Sequence, residues 1–158
     1  MTELKDKISP YCQDVKIINI IGRYGDGNAC LDIKGIQLFT HLPNFRSEGW
    51  ENKHNSGPNK SMIGKTVKTS LSLLFLKDEE KVSNRKKTIK QIPMNKPSSI
   101  PSDIYEIEGI IQEVTDSFYV VDCGIIICVN IPKIPKFHNG DWIIAKGRLN
   151  AYLITKNP

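Results

Sequence analysis

The sequence contains one apolar pattern twice. An Ile-rich run at residues 15–22 leads through a glycine-rich turn to residues 29–39, and residues 105–111 lead through a polar turn to residues 119–127. Each copy reads as a strand, a turn, a strand that ends in Asp, a reversal marked by Gly and a third strand. A fourth apolar strand, led by Gly, follows each copy. The glycines at these reversals and fourth strands are Gly35, Gly64, Gly124 and Gly140. Such a duplicated set of short strands predicts a barrel or a sandwich.

Alternating apolar residues extend this β pattern beyond the copies. We predict a strand at 67–76 with a return strand at 87–92, and a strand at 141–149 with a return strand at 151–156. The segment between these groups is residues 94–102, where two prolines and three serines disfavour both helix and central strand. The fold class is therefore predicted as all-β, with two small β-barrels in tandem. Their predicted bounds are 10–93 and 103–158, joined by a linker at 94–102.

The positive charge is concentrated in the first part of the sequence. Residues 1–93 carry 16 Lys and Arg against 10 Asp and Glu, whereas residues 103–158 carry 5 against 7. We therefore expect a basic first barrel and an acidic second barrel. A local excess of cations favours a polyanionic partner.

Two features bear on the compartment. No apolar run approaches the roughly 20 residues that span a bilayer, and residues 1–7 lack the apolar core of a signal peptide. We expect a cytoplasmic protein without a membrane partner.

One part of the sequence resembles a known fold family. Residues 140–154, with a Gly-Asp pair, alternating apolar residues, a Gly and a short return strand, resemble the last two strands of oligonucleotide/oligosaccharide-binding (OB) domains. Residues 107–111 and 121–125 look like the first three strands of that barrel. The resemblance covers residues 104–156 well and residues 15–92 more loosely, through the internal repeat. It departs from the family between Asn130 and Asn139, which leaves no room for the usual plug helix. Either residues 131–138 cover the barrel end, or the chain forms a different small β-barrel.

The resemblance implies two OB-like barrels and single-stranded nucleic acid as a ligand, since OB-folds combine a cationic groove with aromatic stacking platforms. The residues of the basic segment supply phosphate contacts in this hypothesis, and two aromatics of a long polar loop supply stacking. The predicted nucleic-acid-binding residues are Lys65, Lys68, Arg85, Lys86, Lys87, Lys90, Phe45 and Trp50. A possible secondary or interface site comprises Trp142, Lys146, Arg148 and Tyr152.

Motifs for other chemistry are weak. Cys123 and Cys128 lack both the spacing and the His partners of a zinc site. Residues 57–66 hold six residues between the glycines where a phosphate-binding loop has four, and a β pattern follows. We therefore expect neither metal nor cofactor, and we find no catalytic motif that would indicate an enzyme.

Two function classes remain from the sequence. The first is a non-catalytic single-stranded nucleic-acid-binding protein. The alternative is a protein-interaction or assembly subunit built on OB-like barrels, with the second barrel meeting the protein partner.

Overall fold

The computed structural model describes residues 7–22, 27–43, 60–81, 85–93, 101–131 and 134–154. In these residues the regular elements are strands and two 3-10 helices, η1 (Ser9–Tyr11) and η2 (Lys60–Met62). The strands are β1 (Gln13–Gly22), β2 (Gly27–Ile33), β3 (Ile36–Leu42), β4 (Thr66–Lys81), β5 (Thr88–Gln91), β6 (Ile104–Val114), β7 (Phe118–Asp122), β8 (Ile126–Asn130) and β9 (Trp142–Leu153). The all-β prediction is confirmed. No helix in the described part of the chain is long and apolar enough to cross a membrane.

The strands follow the alternation of the sequence. In β2 the side chains of Ala29, Leu31 and Ile33 are fully buried while their neighbours are half-exposed. In β9 the same period buries Ile143 and Ala145. Successive side chains of a strand point to opposite faces, so each strand presents one apolar face to a core.

The strand pairings close into an eight-stranded β-barrel. Its hydrogen-bonded order is β1, β2, β3, β9, β6, β7, β8, β4 and back to β1, while β9 and β4 are also neighbours. β5 pairs with β6 and lies outside this closed order. Closure leaves none of these eight strands as an edge strand.

The contacts divide the chain into two compact units. Unit 1 combines Met1–Ser70 with Asn150–Pro158, and unit 2 is Leu71–Leu149. The division falls within β4 and within β9, and each of these strands therefore contributes to both units. It differs from the predicted bounds, and most of the predicted linker, residues 94–100, lies outside the described residues.

In unit 1, the first strand of the repeat pairs with the second and the fourth. The first half of β1 pairs with β4 (Gln13 opposite Thr69), and its second half pairs with β2 (Ile20 opposite Ala29). β2 and β3 form an antiparallel hairpin, and β3 then pairs in parallel with β9.

Unit 2 repeats this scheme. The first half of β6 pairs with β9, and its second half pairs with β7. β7 and β8 form the hairpin, and β8 pairs in parallel with β4. In each unit, the strand parallel to the third one comes from the other copy of the sequence repeat.

Backbone hydrogen bonds confirm the duplication in detail. In unit 1 the N–H of Gly64 donates to the Ile17 carbonyl at 2.7 Å, and the N–H of Ile17 donates to the Lys65 carbonyl at 2.9 Å. In unit 2 the N–H of Gly140 donates to the Ile111 carbonyl, and the N–H of Ile111 donates to the Asp141 carbonyl, both at 2.8 Å. A register shift occurs near this point in both β1 and β6. Two distant parts of the sequence therefore build the same local structure.

The two Asp-marked reversals are also equivalent. The Asp32 carboxylate accepts the N–H of Gly35 at 2.9 Å, and the Asp122 carboxylate accepts the N–H of Gly124 at 2.9 Å. Both glycines have positive φ, +87° and +108°, which favours glycine at these turns. The Asp of each copy therefore fixes the turn between the second and third strands.

Lys136 and Phe137 lie against Tyr119 of unit 2, while the replacement of a plug helix by this segment stays a prediction. The hydroxyl of the fully buried Tyr119 accepts the N–H of Lys136 at 2.9 Å and that of Phe137 at 3.4 Å. The rings of Tyr119 and Phe137 lie 5.8 Å apart in a tilted arrangement. A buried phenol is thus satisfied by the loop that packs on it.

Two strands predicted as hairpin returns run elsewhere. The strands at 141–149 and 151–156 were expected to form a hairpin with a turn between them, but β9 continues without interruption to Leu153. Residues 87–92 were expected to be the return strand of residues 67–76, whereas β5 pairs with β6, with Ile89 opposite Ile107. β4 therefore begins in unit 1 and ends in unit 2, and β9 begins in unit 2 and ends in unit 1.

The predicted charge division does not follow the structural units. Unit 1 carries 11 Lys and Arg against 7 Asp and Glu, a net charge of +4, and unit 2 carries 11 against 10, a net charge of +1. Unit 2 is not acidic because it includes β5 and the basic residues before it, whereas the acidic barrel over residues 103–158 stays a prediction.

Candidate nucleic-acid interface

Three neighbouring strands of unit 2 present one face that is exposed or half-exposed except at the buried Glu108. β6 lies between β5 and β9, and Thr88, Glu108 and Ile144 stand opposite one another across the three strands. Because residues in register share a face, alternate positions of each strand belong to it. We call this the outer face of unit 2, and it comprises Thr88, Lys90, Ile104, Glu106, Glu108, Ile110, Trp142, Ile144, Lys146 and Arg148.

One row of this face alternates in charge. Glu106 stands opposite Lys90 on one side and opposite Lys146 on the other. Side chains directly opposite in an antiparallel pair have Cβ atoms about 4.5–5.5 Å apart, so the position of Glu106 lies between two lysine positions. The row retains a net positive charge, and Lys90 is exposed while Lys146 is half-exposed.

Arg148 and Trp142 lie on the same strand on either side of that row. Arg148 stands opposite Ile104, and Trp142 stands opposite Ile110. Both β9 side chains are half-exposed. The face therefore combines cations with an aromatic ring and aliphatic side chains.

A basic turn precedes β5 at the edge of this face. It consists of Arg85, Lys86 and Lys87, all exposed. The Glu108 carboxylate accepts the backbone N–H of Lys86 at 3.3 Å, and the Lys87 ammonium lies 2.7 Å from the Asp122 carboxylate. Two acidic side chains of β6 and β7 thus hold the basic turn against the sheet. A surface ion pair of this kind contributes little to stability, about 0–1 kcal/mol, but it fixes where the cation lies.

The structure brings together two sites that the sequence kept apart. Arg85, Lys86, Lys87 and Lys90 were assigned to a first barrel, and Trp142, Lys146 and Arg148 to a secondary site on a second barrel. All seven belong to unit 2. The register makes Lys90, Trp142, Lys146 and Arg148 parts of one face.

The remaining described cations of the prediction belong to unit 1. Lys65 is exposed, and its carbonyl accepts the N–H of Ile17. The Lys68 ammonium lies 2.8 Å from the Asp14 carboxylate, and this hydrogen bond, aided by the attraction between the two charges, raises the pKa of Lys68. Tyr152 is half-buried on the part of β9 that belongs to unit 1. These residues are not part of the outer face of unit 2.

Phe45 and Trp50, the two predicted stacking residues of the long loop, lie outside the described residues. Their proposed role therefore stays a prediction. Among the described side chains, Trp142 is the aromatic that the outer face of unit 2 contains.

Three carboxylates of unit 2 lie near basic residues. Glu106 stands opposite Lys90 and Lys146, Glu108 accepts the backbone N–H of Lys86, and Asp122 pairs with Lys87. The alternation of β6 places Glu106 and Glu108 on one face and was visible in the sequence. The pairing of β6 with the strand that follows the basic turn was not, since it depends on a contact between distant strands.

The four cysteines are free thiols. Cys12 and Cys30 are half-buried, and Cys123 and Cys128 are buried, where a thiol packs as a small apolar side chain. Burial raises the pKa of Cys123 to about 11 and that of Cys128 to about 12. No group of three or more His, Cys, Asp or Glu suited to a metal ion occurs among the residues that the structure describes.

The outer face of unit 2 can bind an extended anion with apolar groups. Its cations offer charge-assisted hydrogen bonds, and Trp142 offers a flat surface. Comparison of the chain with family models, with curated proteins and with solved structures finds no match.

Proposed function

We propose that this protein binds single-stranded nucleic acid without catalysis, and that the outer face of unit 2 is the binding surface. The observation that carries the proposal is the register across β5, β6 and β9, which aligns Lys90, Lys146 and Arg148 on one face with Trp142. With the basic turn included, six cations face three carboxylates, Glu106, Glu108 and Asp122.

The physical basis is the combination of charge with stacking. Cations near the phosphate backbone release condensed counterions and provide affinity that does not depend on sequence. An aromatic side chain adds about 1–3 kcal/mol for each base that stacks on it, and every base offers a π face. Single strands expose their bases for stacking, whereas duplexes do not, which favours a single-stranded ligand.

The strand pairings support an OB-like character for each unit. In unit 1 the five strands β1, β2, β3, β9 and β4 succeed one another by hydrogen bonding, and in unit 2 the corresponding series is β6, β7, β8, β4 and β9. Five strands with a first strand that bends to pair with two neighbours suit the small Greek-key barrel of the OB type. We therefore propose two OB-like barrels, each built from both copies of the repeat.

The test is fluorescence anisotropy with labelled single-stranded and double-stranded oligonucleotides of DNA and RNA, over a series of salt concentrations. We expect salt-sensitive binding to single strands, with a log–log slope of about −0.7 for each phosphate contacted. The triple variant Lys90→Ala, Lys146→Ala and Arg148→Ala should weaken binding to all sequences alike and flatten the slope by up to about 2 units.

The matched control removes the same number of charges from unit 1. Its three changes are Lys16→Ala, Lys65→Ala and Lys68→Ala, all at exposed positions. Binding near the parent level in this control supports the outer face of unit 2. If the control loses binding and the unit 2 variant keeps it, the interface belongs to unit 1. Absence of salt-dependent binding in the parent protein overturns the proposal.

A second candidate function rests on a separate observation. Two large apolar side chains of β1 in unit 1 are exposed, Ile18 to 39% and Ile21 to 41%. Exposed aliphatics on one strand favour a protein contact. This supports a protein-interaction subunit whose contact lies on unit 1, whereas the sequence hypothesis placed the partner on the second barrel. The double variant Ile18→Ser and Ile21→Ser separates the two functions, because it should remove a stoichiometric protein partner while leaving oligonucleotide binding unchanged.

A further inference from the structure

Each copy of the sequence repeat gives its last segment to the other copy. The first repeat, β1–β4, supplies Leu71, Ser72 and Leu73 to unit 2, and the second repeat, β6–β9, supplies Asn150 through Leu153 to unit 1. The donated side chains are almost fully buried: Leu71, Ser72 and Leu73 are no more than 1% exposed, and Asn150, Ala151 and Leu153 no more than 2%.

The two donations are equivalent in register. In unit 2, Ser72 stands opposite Cys128 and Leu73 opposite Val129, in a parallel pair. In unit 1, Asn150 stands opposite His41, also in a parallel pair. Leu73, the ninth residue after Gly64, stands opposite Val129, the fifth residue after Gly124. Asn150, the tenth residue after Gly140, stands opposite His41, the sixth residue after Gly35, so the offset is the same in both units. The donation is thus reciprocal, because the same segment of each repeat lies beside the third strand of the other.

A repeat without its donated segment would leave two defects. The third strand would present unpaired N–H and C=O groups along one edge, which is a template for pairing with another strand. The buried apolar residues of the third strands, among them Ile127 and Leu38, would then belong to strands that lack one neighbour. Each repeat therefore requires a partner, and its partner is the complementary repeat.

We propose that a second copy of this chain can supply that partner, giving a dimer in which the first repeat of each copy is completed by β9 of the other copy and the second repeat by β4 of the other copy. The contacts of such a dimer are the contacts of the monomer, since both copies offer the same segments. The choice between the two forms depends on the connection between the repeats, residues 92–103, which joins β5 to β6. In the dimer β5 follows β4 and pairs with β6 of the other copy. When this connection spans the distance between the two repeats of one chain, each repeat meets the other at an effective concentration of about millimolar. The monomer therefore dominates at protein concentrations below that value.

The first experiment refolds the full chain. Tagged and untagged full-length proteins are unfolded together in guanidinium chloride, refolded over a range from about micromolar to about millimolar concentration, and sized by chromatography with light scattering. We expect a dimer fraction that rises with refolding concentration, contains mixed tagged and untagged dimers, and persists after dilution, because dissociation requires unfolding. Folded proteins mixed without denaturant should remain monomers.

Two outcomes overturn the proposal. One is a monomer at every refolding concentration. The other is a dimer that forms when folded chains are mixed and dissociates on dilution, since that behaviour belongs to a surface contact.

A pair of matched variants tests the role of the connection. One lacks residues 95–100, and the other carries six additional Gly and Ser residues after Ser99. We expect the shortened connection to lower the refolding concentration for half-dimerisation by about tenfold or more, because it no longer spans the distance. The lengthened connection still spans it and should lower that concentration by no more than about twofold. Circular dichroism establishes that each variant is folded. If the shortened chain does not fold, the refolding series of the parent chain still decides, because a monomer at every concentration contradicts reciprocal exchange.

Discussion

The ammonium of Lys87 lies 2.7 Å from the carboxylate of Asp122. This pair joins the basic turn before β5 to the end of β7, two parts of the chain that sequence analysis placed in different domains. Asp122 has a second role, since its other carboxylate oxygen accepts the N–H of Gly124 in the β7–β8 turn. One acidic residue thus shapes a hairpin and also determines where a cation of the proposed interface lies.

Replacing this carboxylate should release the cation. In Asp122→Asn the amide oxygen can still accept the Gly124 N–H, while the charge that attracts Lys87 is lost. We expect tighter binding of single strands and a salt slope steeper by about 0.7, because one more cation becomes available to phosphate. The measurement is anisotropy against salt concentration.

Asp32→Asn is the matched control for that change. Asp32 caps the equivalent turn of unit 1 through the N–H of Gly35. The control removes the same charge from the chain as a whole. Equal effects of both substitutions would mean that net charge, and not the position of Lys87, governs binding.

Trp142 should contribute affinity without contributing salt dependence. We expect Trp142→Ala to weaken single-strand binding by about 1–3 kcal/mol, or roughly 5-fold to 150-fold, with the slope nearly unchanged because stacking releases no counterions. Trp142→Phe keeps an aromatic face and should retain most of the affinity. A Phe variant as weak as the Ala variant would assign Trp142 a structural role, which thermal unfolding of both variants can detect.

Gly109 should not tolerate a side chain. A Cβ at this position would meet the backbone carbonyl of Asp122 and the Cα of Cys123, neither of which can rotate away. We expect Gly109→Ala to lower the free energy of unfolding by about 1–3 kcal/mol or more through overpacking. Gln112→Ala, at an exposed position of the same strand, should change it by less than about 0.5 kcal/mol. Urea unfolding of both variants compares them.

The buried thiols should make stability fall at alkaline pH. Burial holds the pKa of Cys123 at about 11 and that of Cys128 at about 12, above the usual 9.0. Between about pH 9 and those values the unfolded chain has released protons that the folded chain still binds, so the free energy of unfolding decreases as pH rises. The stability that comes from burying the neutral thiols is fully present below about pH 9 and is lost as pH rises through the pKa values of the folded protein. Urea unfolding at a series of pH values should show a smaller decrease for Cys128→Ala than for the parent.

Thiol reactivity offers a separate measurement on the same residues. At pH 8 the half-exposed Cys12 and Cys30 should be alkylated before Cys123 and Cys128, because the last two are buried and stay protonated. Mass spectrometry of the alkylated peptides gives the order. Early alkylation of Cys128 in the folded protein would contradict its burial.

The second copy of the repeat should not fold alone. Residues 103–158 lack β4, which pairs with β8, and β5, which pairs with β6. The sequence predicts a separate barrel over residues 103–158. From the pairings we expect a fragment with a collapsed amide NMR spectrum, beside a well-dispersed spectrum for the full chain. A dispersed, monomeric fragment would show that β9 alone can complete the second repeat.

Much of the fold could be predicted from local patterns. The period-two alternation located β2, β6, β7 and β8 within a few residues, because the face of a strand depends on its immediate neighbours. The Asp and Gly residues of the two turns were equally informative, since a positive φ and an Asp cap are local requirements. The ends of β4 and β9 were not predicted, because a strand continues past a possible turn only where another strand pairs with it.

The candidate site was predicted in its residue types and not in its arrangement. Lys90, Lys146, Arg148 and Trp142 were all named as possible contacts, but in two separate sites. Their alignment depends on β6 pairing with β5 on one side and with β9 on the other. Nothing in the composition of these segments identifies that order, since backbone N–H and C=O groups are alike in every strand.

The sequence by itself determined that this protein is all-β, that it consists of two copies of one strand pattern, and that glycines with positive φ mark its turns, because these properties follow from the geometry of a few consecutive residues. The tertiary structure alone decided which strands are partners. It placed the last segment of each repeat beside the third strand of the other and gathered the cations of β5 and β9 around Glu106. The physical reason is that a strand edge accepts any strand of suitable length and apolar pattern, so the choice among partners depends on how the whole chain packs its apolar faces.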